Sequence, residues 1–246
     1  MDVSRIGLHR KSAARLRFIA SLFGMVPAMP ALADGMVPET SVILVYEDKG
    51  EASVSVRNSD ARPSLLHVTL QDIAEDAEPL LFVTPPVSRV EPGASQLVRF
   101  ILRNAKPLKT QRLKRVLFEG LPPKNTLEPG RATVAVNIRQ NLPVILHPKG
   151  LAPNREPWKG LTWSIAQGEL VVANDTPYVV RMGQEVHLLP MMASIRIPTT
   201  YVLPGARHVV AVPESAQAAT AVRLYPATVY GFAVDAYDAV LGSVAR

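Results

Sequence analysis

Four histidines, His67, His147, His187 and His208, are the side chains after residue 33 best suited to proton transfer near neutral pH or to metal ligation. They are scattered, with no His-x-His or His-Glu-x-x-His spacing that would bring two imidazoles to one ion, so they read as surface or internally satisfied residues. Met191-Met192 lies close to His187 and would suit soft copper, but neighbours in a strand point to opposite faces. The sequence has no cysteine, which excludes thiol catalysis, and no Gly-x-Ser-x-Gly elbow, Gly-x-Gly-x-x-Gly turn or phosphate loop. The expectation is a protein that is not an enzyme and needs no metal or other cofactor. Val134, Val136 and Ile138 are spaced by two and share one face of an extended segment. Taken alone, that alternation fits an ordinary core strand better.

The surrounding composition describes the scaffold for such a strand. Proline supplies 22 of 246 residues, aromatics are 6% and hydrophobic residues 48%. This mixture favours short strands and irregular turns over long helices and is too apolar for a disordered chain. The formal charge is +6, but its location matters more than its size. Arg5, Arg10, Lys11, Arg15 and Arg17 precede an uncharged stretch from Phe18 to Ala33 that ends in Ala31-Leu32-Ala33. That is the pattern of a secretory signal peptide, too short and proline-broken to span a bilayer. Cleavage after Ala33 would remove those five positive charges and Asp2, leaving +2. The expectation is therefore an exported chain with no nucleic-acid partner and no membrane insertion of the mature part. An exported chain without cysteine must be stable on core packing alone.

From Ser41 onward, apolar alternation is broken by turn residues every dozen positions or so. Candidate strands are 41–46, 52–57, 65–70, 81–84, 95–102, 116–118 and 133–145, with turns at Asp48-Lys49-Gly50, Asn58-Ser59-Asp60 and Glu91-Pro92-Gly93. Pro85-Pro86 cannot donate ladder hydrogen bonds, so it marks a strand end or a crossing between sheets. Such spacing predicts a β-sandwich. A proline-rich stretch from Pro148 to Pro157 reads as a linker, and shorter strands resume at 161–165, 169–173, 178–180, 186–189, 206–212 and 221–234. The reading is all-β: a signal peptide over 1–33, an N-terminal domain over 34–150 and a C-terminal β-sandwich over 151–246.

The run Phe82-Val83-Thr84-Pro85-Pro86-Val87-Ser88-Arg89-Val90-Glu91-Pro92-Gly93-Ala94-Ser95-Gln96-Leu97-Val98-Arg99 resembles the periplasmic pilus (fimbrial) chaperones of the chaperone–usher pathway. Leu121-Pro122-Pro123 is similar to the family's Ile-Pro-Pro, and Asn174-Asp175-Thr176-Pro177-Tyr178 to its Asn-x-Thr-Pro-Tyr. The short, cysteine-free connection from Pro123 to Arg131 resembles the short-loop branch. The resemblance implies two immunoglobulin-like sandwiches arranged at an angle, in which the last strand of the first domain donates alternating side chains to pilus subunits before handover to an outer-membrane usher. That role falls on Val134, Val136 and Ile138. The other reading weighed is a secreted immunoglobulin-like structural or adhesive pilus component. Two strand sets and no cysteine argue against it.

The family also carries an Arg near the start of the first strand and a Lys late in the donor strand, which anchor the subunit's C-terminal carboxylate. The corresponding positions are Val42, or Ser41 with a different gap, and Pro143, and neither is cationic. Arg139, four residues before Pro143, is the candidate for a replacement contact. Arg57, Arg115 and Arg181 are other cations that would reach the cleft, each read first as a solvated surface charge. His147 stands where the family has a basic residue in an interdomain ion-pair network.

Overall fold

The computed structural model describes residues 35–121, 138–228 and 234–242. In the first half, β1 (Met36–Pro38), β2 (Ile43–Tyr46), β3 (Glu51–Asn58), β4 (Ser64–Gln71), β5 (Leu81–Thr84), β6 (Val87–Val90), β7 (Ser95–Leu102), β8 (Arg112–Leu121) and β9 (Arg139–His147) form two sheets. One has the order β1-β3-β7-β5, the other β2-β9-β8-β4-β6. Alternation decides what lies between them. Val54, Val56, Val98 and Phe100 from the first sheet meet Leu66, Val68, Val116, Phe118, Val144 and Leu146 from the second, all buried. Phe100 and Phe118 pack edge to face with centroids 6.4 Å apart, an arrangement that suits the ring quadrupoles. The Pro85-Pro86 step sits where the sequence places a crossing: β5 belongs to the four-stranded sheet and β6 to the five-stranded one.

The strand around 116–118 is much longer than its apolar residues suggest, running from Arg112 to Leu121. Its charged residues are not surface decoration. Lys114 is only 2% exposed, and its ammonium donates to Asp72 Oδ1 (2.7 Å), to the Asp76 carbonyl (2.7 Å) and to Asp76 Oδ1 (3.0 Å). Arg112 forks onto the same Asp76 carboxylate and reaches Glu78 at 3.1 Å. The cations that hid this strand from a hydrophobicity reading are paired beneath the loop that follows β4.

Beyond the linker come β10 (Thr162–Ala166), β11 (Glu169–Ala173), β12 (Val180–Met182), β13 (Glu185–Leu189), β14 (Ala193–Arg196), β15 (Tyr201–Val202), β16 (Arg207–Ala211), β17 (Ala221–Leu224), β18 (Pro226–Ala227) and β19 (Tyr237–Val240). They form sheets of order β10-β11-β16, β15-β12-β18 and β14-β13-β17-β19 around Trp163, Leu170, Val172, Met182, Leu188, Ile197 and Leu224. The single strand expected over 221–234 is divided. β17 pairs with β13 and β19, and the chain then changes sheets so that Pro226 lies opposite Met182. Proline cannot continue a ladder as donor, so the change falls there.

Both halves fasten a strand end in the same way. Asn58, fully buried, donates from Nδ2 to the carbonyls of Arg62 and Val90 and accepts from the Asp60 amide at Oδ1. Asn174, also fully buried, donates to the carbonyls of Tyr178 and Val202 and accepts from Thr176. The Asn-x-Thr-Pro-Tyr run is therefore a structural turn, because its polar atoms are consumed internally.

The outer face of β2, β9 and β8 does not meet solvent throughout. Val42, Leu113 and Ile145 pack with Ile73, Val179, Leu44, Tyr201 and Leu203 in a cluster shared by the two halves. Gln111 crosses this junction. Its amide N–H donates to the Pro177 carbonyl (2.8 Å), its Oε1 accepts from the Val179 amide (2.8 Å), and its Nε2 donates to His147 Nδ1 (2.9 Å). His147 Nδ1 is therefore an acceptor, and Nε2 carries the proton it donates to the Leu151 carbonyl at 2.9 Å. Within the first half, Glu47 accepts from the amides of Leu108 and Lys149 and from Asn104 Nδ2. Replacing Gln111 by alanine leaves a buried amide and a buried ring nitrogen without partners. The expected cost is about 2–4 kcal/mol, read as a lower urea midpoint. An unchanged midpoint would show that water replaces the side chain.

Candidate functional site

β9 is flanked unequally. On one side it pairs with β8 along its length, from Glu119 opposite Arg139 to Arg112 opposite Leu146. On the other side β2 runs parallel to it and begins only at Ile43, opposite Val144, continuing to Tyr46 opposite His147. No described strand borders Arg139 to Pro143 on that side, so among the described residues half of β9 is an open edge. Open edges invite another strand. The charge and proline that blunt this edge, at Arg139 and Pro143, point away from the core, because Val144 and Leu146 are the core-facing residues.

The same alternation carries the core-facing row backwards through Leu142 and Gln140 to Ile138. Leu142 packs on the core of the first sandwich, Gln140 donates to the Met36 carbonyl at 3.0 Å, and Ile138 is 41% exposed with its Cβ close to Gly35. Val134 and Val136 lie outside the described residues. Arg139 ion-pairs with Glu119 (3.0 Å), which also lies 3.9 Å from His67 Nδ1. Its guanidinium is thus already engaged by a carboxylate.

Val42 and Pro143, the positions without the family cations, are both buried and lie one step before the first β2–β9 pair. Pro143 sits opposite Arg115 on β8. Residues opposite one another share a face, so Arg115 projects on the same face as Pro143. It leans across to β9, donating from Nε to Asn141 Oδ1 (2.5 Å) and from Nη2 to the Asn141 carbonyl (2.9 Å). Arg181, on β12, has one long bond, to the Thr228 carbonyl at 3.5 Å. Burial draws Arg115 below the ordinary arginine value, while Tyr201 pulls it back up. Burial lowers Arg181 too, and repulsion from Arg115 adds to it. Both are half-buried, unlike the exposed Arg57. These two cations are therefore partly withdrawn from water and not fully solvated surface charges.

The histidines converge on no metal site. His187 packs on Tyr225, His208 faces Thr199, and among the described residues no three ligand side chains could hold an ion. Met191 and Met192 form a turn between β13 and β14 instead of lying in a strand. Arg89, in the proline-rich run, pairs with Glu91 at 2.8 Å on the surface. No described helix is long and apolar enough to cross a membrane.

An all-β pair of sandwiches with an unpaired half-strand at the end of the first is the architecture of a strand-lending binding protein, and the comparisons name the class. Residues 35–152 match the family of pili and flagellar-assembly chaperones, PapD N-terminal domain, and residues 156–237 match the pili assembly chaperone PapD, C-terminal domain. The chain is 42% identical over 223 residues to the uncharacterized fimbrial chaperone YhcA of Escherichia coli, covering 90% of this chain and 97% of that one. It is 29% identical over 190 residues to the chaperone protein FimB/FhaD of Bordetella pertussis, covering 72% and 74%. Among solved structures, the SafB chaperone complex with SafA pilin from Salmonella enterica has a TM-score of 0.69 at 21% identity, covering 85% of this chain and 97% of that one. The CupB2 chaperone of Pseudomonas aeruginosa has a TM-score of 0.66 at 22% identity, covering 84% and 100%. The chain belongs to the PapD-like pilus-assembly chaperone family. It is a fimbrial chaperone of the chaperone–usher type, and the structural or adhesive pilus component is not favoured.

Proposed function

We propose that this chaperone is exported to the periplasm after loss of residues 1–33, and that its domains 34–150 and 151–246 capture pilus subunits by strand donation. The observation that carries the reading is the half-open β9: parallel β2 covers Val144 to His147 and leaves Arg139 to Pro143 unpaired on that edge. Val134, Val136 and Ile138 are spaced by two in the sequence, so on this reading a subunit lacking a strand would receive both backbone pairing and apolar side chains. Capture needs no covalent step, metal or nucleotide, and the reading assigns the chain no enzymatic activity and no nucleic-acid partner. The subunit would then pass to an outer-membrane usher.

The test is co-expression in the periplasm with a small secreted pilin-like subunit. A monomeric chaperone should give an equimolar complex and protect the subunit from proteolysis. A subunit that remains stable and polymerises at the same rate without the chaperone would refute the reading.

A further inference from the structure

β1 belongs to the four-stranded sheet, where it pairs with β3 from Met36 opposite Asn58 to Pro38 opposite Val56. Its first residues also touch the other sheet. Met36 is 2% exposed and belongs to the core of the first sandwich. It lies against Gly120 on β8, where a Cβ would stand 3.2 Å from Met36 Cγ and 3.7 Å from its amide nitrogen, a close approach that suits glycine. The Met36 carbonyl accepts from Gln140 Nε2 on β9 at 3.0 Å. Gly35, one residue earlier, holds a φ of +144° that few other residues adopt, and a Cβ there would stand 3.9 Å from Ile138 Cβ. It is tied from behind by the turn after β3: its amide donates to Ser59 Oγ and its carbonyl accepts from the Ser59 amide, both at 2.9 Å. Gly35 and Met36 thus join the end of β3 to the start of β9, across the gap between the two sheets.

Gln140 is a half-buried polar residue in a row whose neighbours, Ile138 and Leu142, are apolar. Leucine at this place would continue the row and spare the desolvation of an amide, so the hydrogen bond is what the glutamine adds. Successive residues of a strand point to opposite faces. Arg139 is held on the outer face by Glu119 at 3.0 Å, and Gln140 on the inner face by Met36. The start of β9, which has a strand neighbour on β8 alone among the described residues, is therefore pinned from both faces. We propose that Gln140 is a positioning residue for strand capture: by donating to the Met36 carbonyl it clasps the open edge of β9 to the N-terminal strand and keeps that edge extended before a guest arrives. The proposal rests on the strand-capture reading. An edge already fixed in its bound conformation loses less freedom on association, whereas one that frays is competent for only a fraction of the time and captures more slowly by that fraction.

The test separates arrival of the guest from its departure. Gln140→Glu keeps the length of the side chain but replaces the donor by a carboxylate, and Gln140→Leu keeps the row apolar with no donor. In both, association with a small secreted pilin-like subunit should slow about three- to tenfold, the worth of one hydrogen bond, while dissociation stays within about twofold. In the free chaperone, hydrogen exchange at residues 35–37 and 139–141 should quicken by a similar factor, with the middle of β3 and β8 unchanged. Normal association in both variants overturns the positioning role and leaves strand capture standing. So does a loss carried by dissociation, which would place Gln140 in the groove of the guest, and so does exchange that quickens evenly throughout the first sandwich, which would mark a general loss of stability. A wild type that captures no subunit would remove strand capture and, with it, the role assigned to Gln140.

Discussion

Ile138→Asp should abolish capture of a pilus subunit, lowering affinity by at least about a hundredfold, while the free protein unfolds at its normal temperature. Ile138 is 41% exposed, so the folded chaperone gains little from it, and its immediate described neighbour is the glycine at position 35. In a complex the same side chain would enter the apolar groove of the guest, where it contributes roughly 1.5–3 kcal/mol and where an unpaired carboxylate cannot be accommodated. Ile138→Val should retain most of the affinity. Co-purification of Ile138→Asp with subunit at wild-type yield would show that the groove is filled by other residues, and the donor row would then have to be redrawn.

The second large effect concerns stability. Asp76→Ala should cost about 2–3 kcal/mol, because it leaves buried Lys114 with Asp72 as its remaining carboxylate and Arg112 with the exposed Glu78. Lys114→Met should be far milder, since Asp76 would keep Arg112 and no charge would be stranded. An unfolding free energy for Asp76→Ala, from urea titration, within about 1 kcal/mol of wild type would show that water enters the loop and solvates Lys114. The same carboxylate gives a pH dependence with a defined sign. Burial disfavours ionisation of Asp76, but hydrogen bonds from Arg112 and Lys114 outweigh it and hold the group below its ordinary value. The folded protein therefore binds that proton less readily than the unfolded chain. The stabilisation is complete above the ordinary aspartate range and is lost on acidification below about pH 4. Glu47 acts in the same direction, its burial outweighed by the amides of Lys149 and Leu108 and by Asn104. Asp76→Ala should unfold with a shallower acid limb, which circular dichroism between pH 6 and 2 would register.

The strands that sequence alone makes visible are those whose alternation is set by the core. Val54-Ser55-Val56, Leu66-His67-Val68 and Val98-Arg99-Phe100 each place two large residues between the sheets, and period two is enough to find them. β8 escaped at its N-terminal end because Arg112, Lys114 and Arg115 interrupt the apolar rhythm, and nothing local tells a buried lysine from a solvated one. Its acidic partners come from the loop after β4. β14 and β19 were missed for the opposite reason: each buries a single side chain, Ile195 or Ala239, too little to set a period. The edge of β9 was legible as a stripe and as a family resemblance, whereas its openness depends on where β2 begins, a matter of pairing.

The bridge through Gln111 gives the chaperone a built-in spectroscopic gauge. Because one amide both accepts from Val179 and donates to His147 Nδ1, while Nε2 donates separately to the Leu151 carbonyl, Nδ1 loses its donor when that side chain leaves the junction. The nitrogen shifts of a single ring, one donor-like and one acceptor-like, thus report whether the junction is shut. Any rearrangement on loading a guest would be readable at His147 without an added label or a mutation.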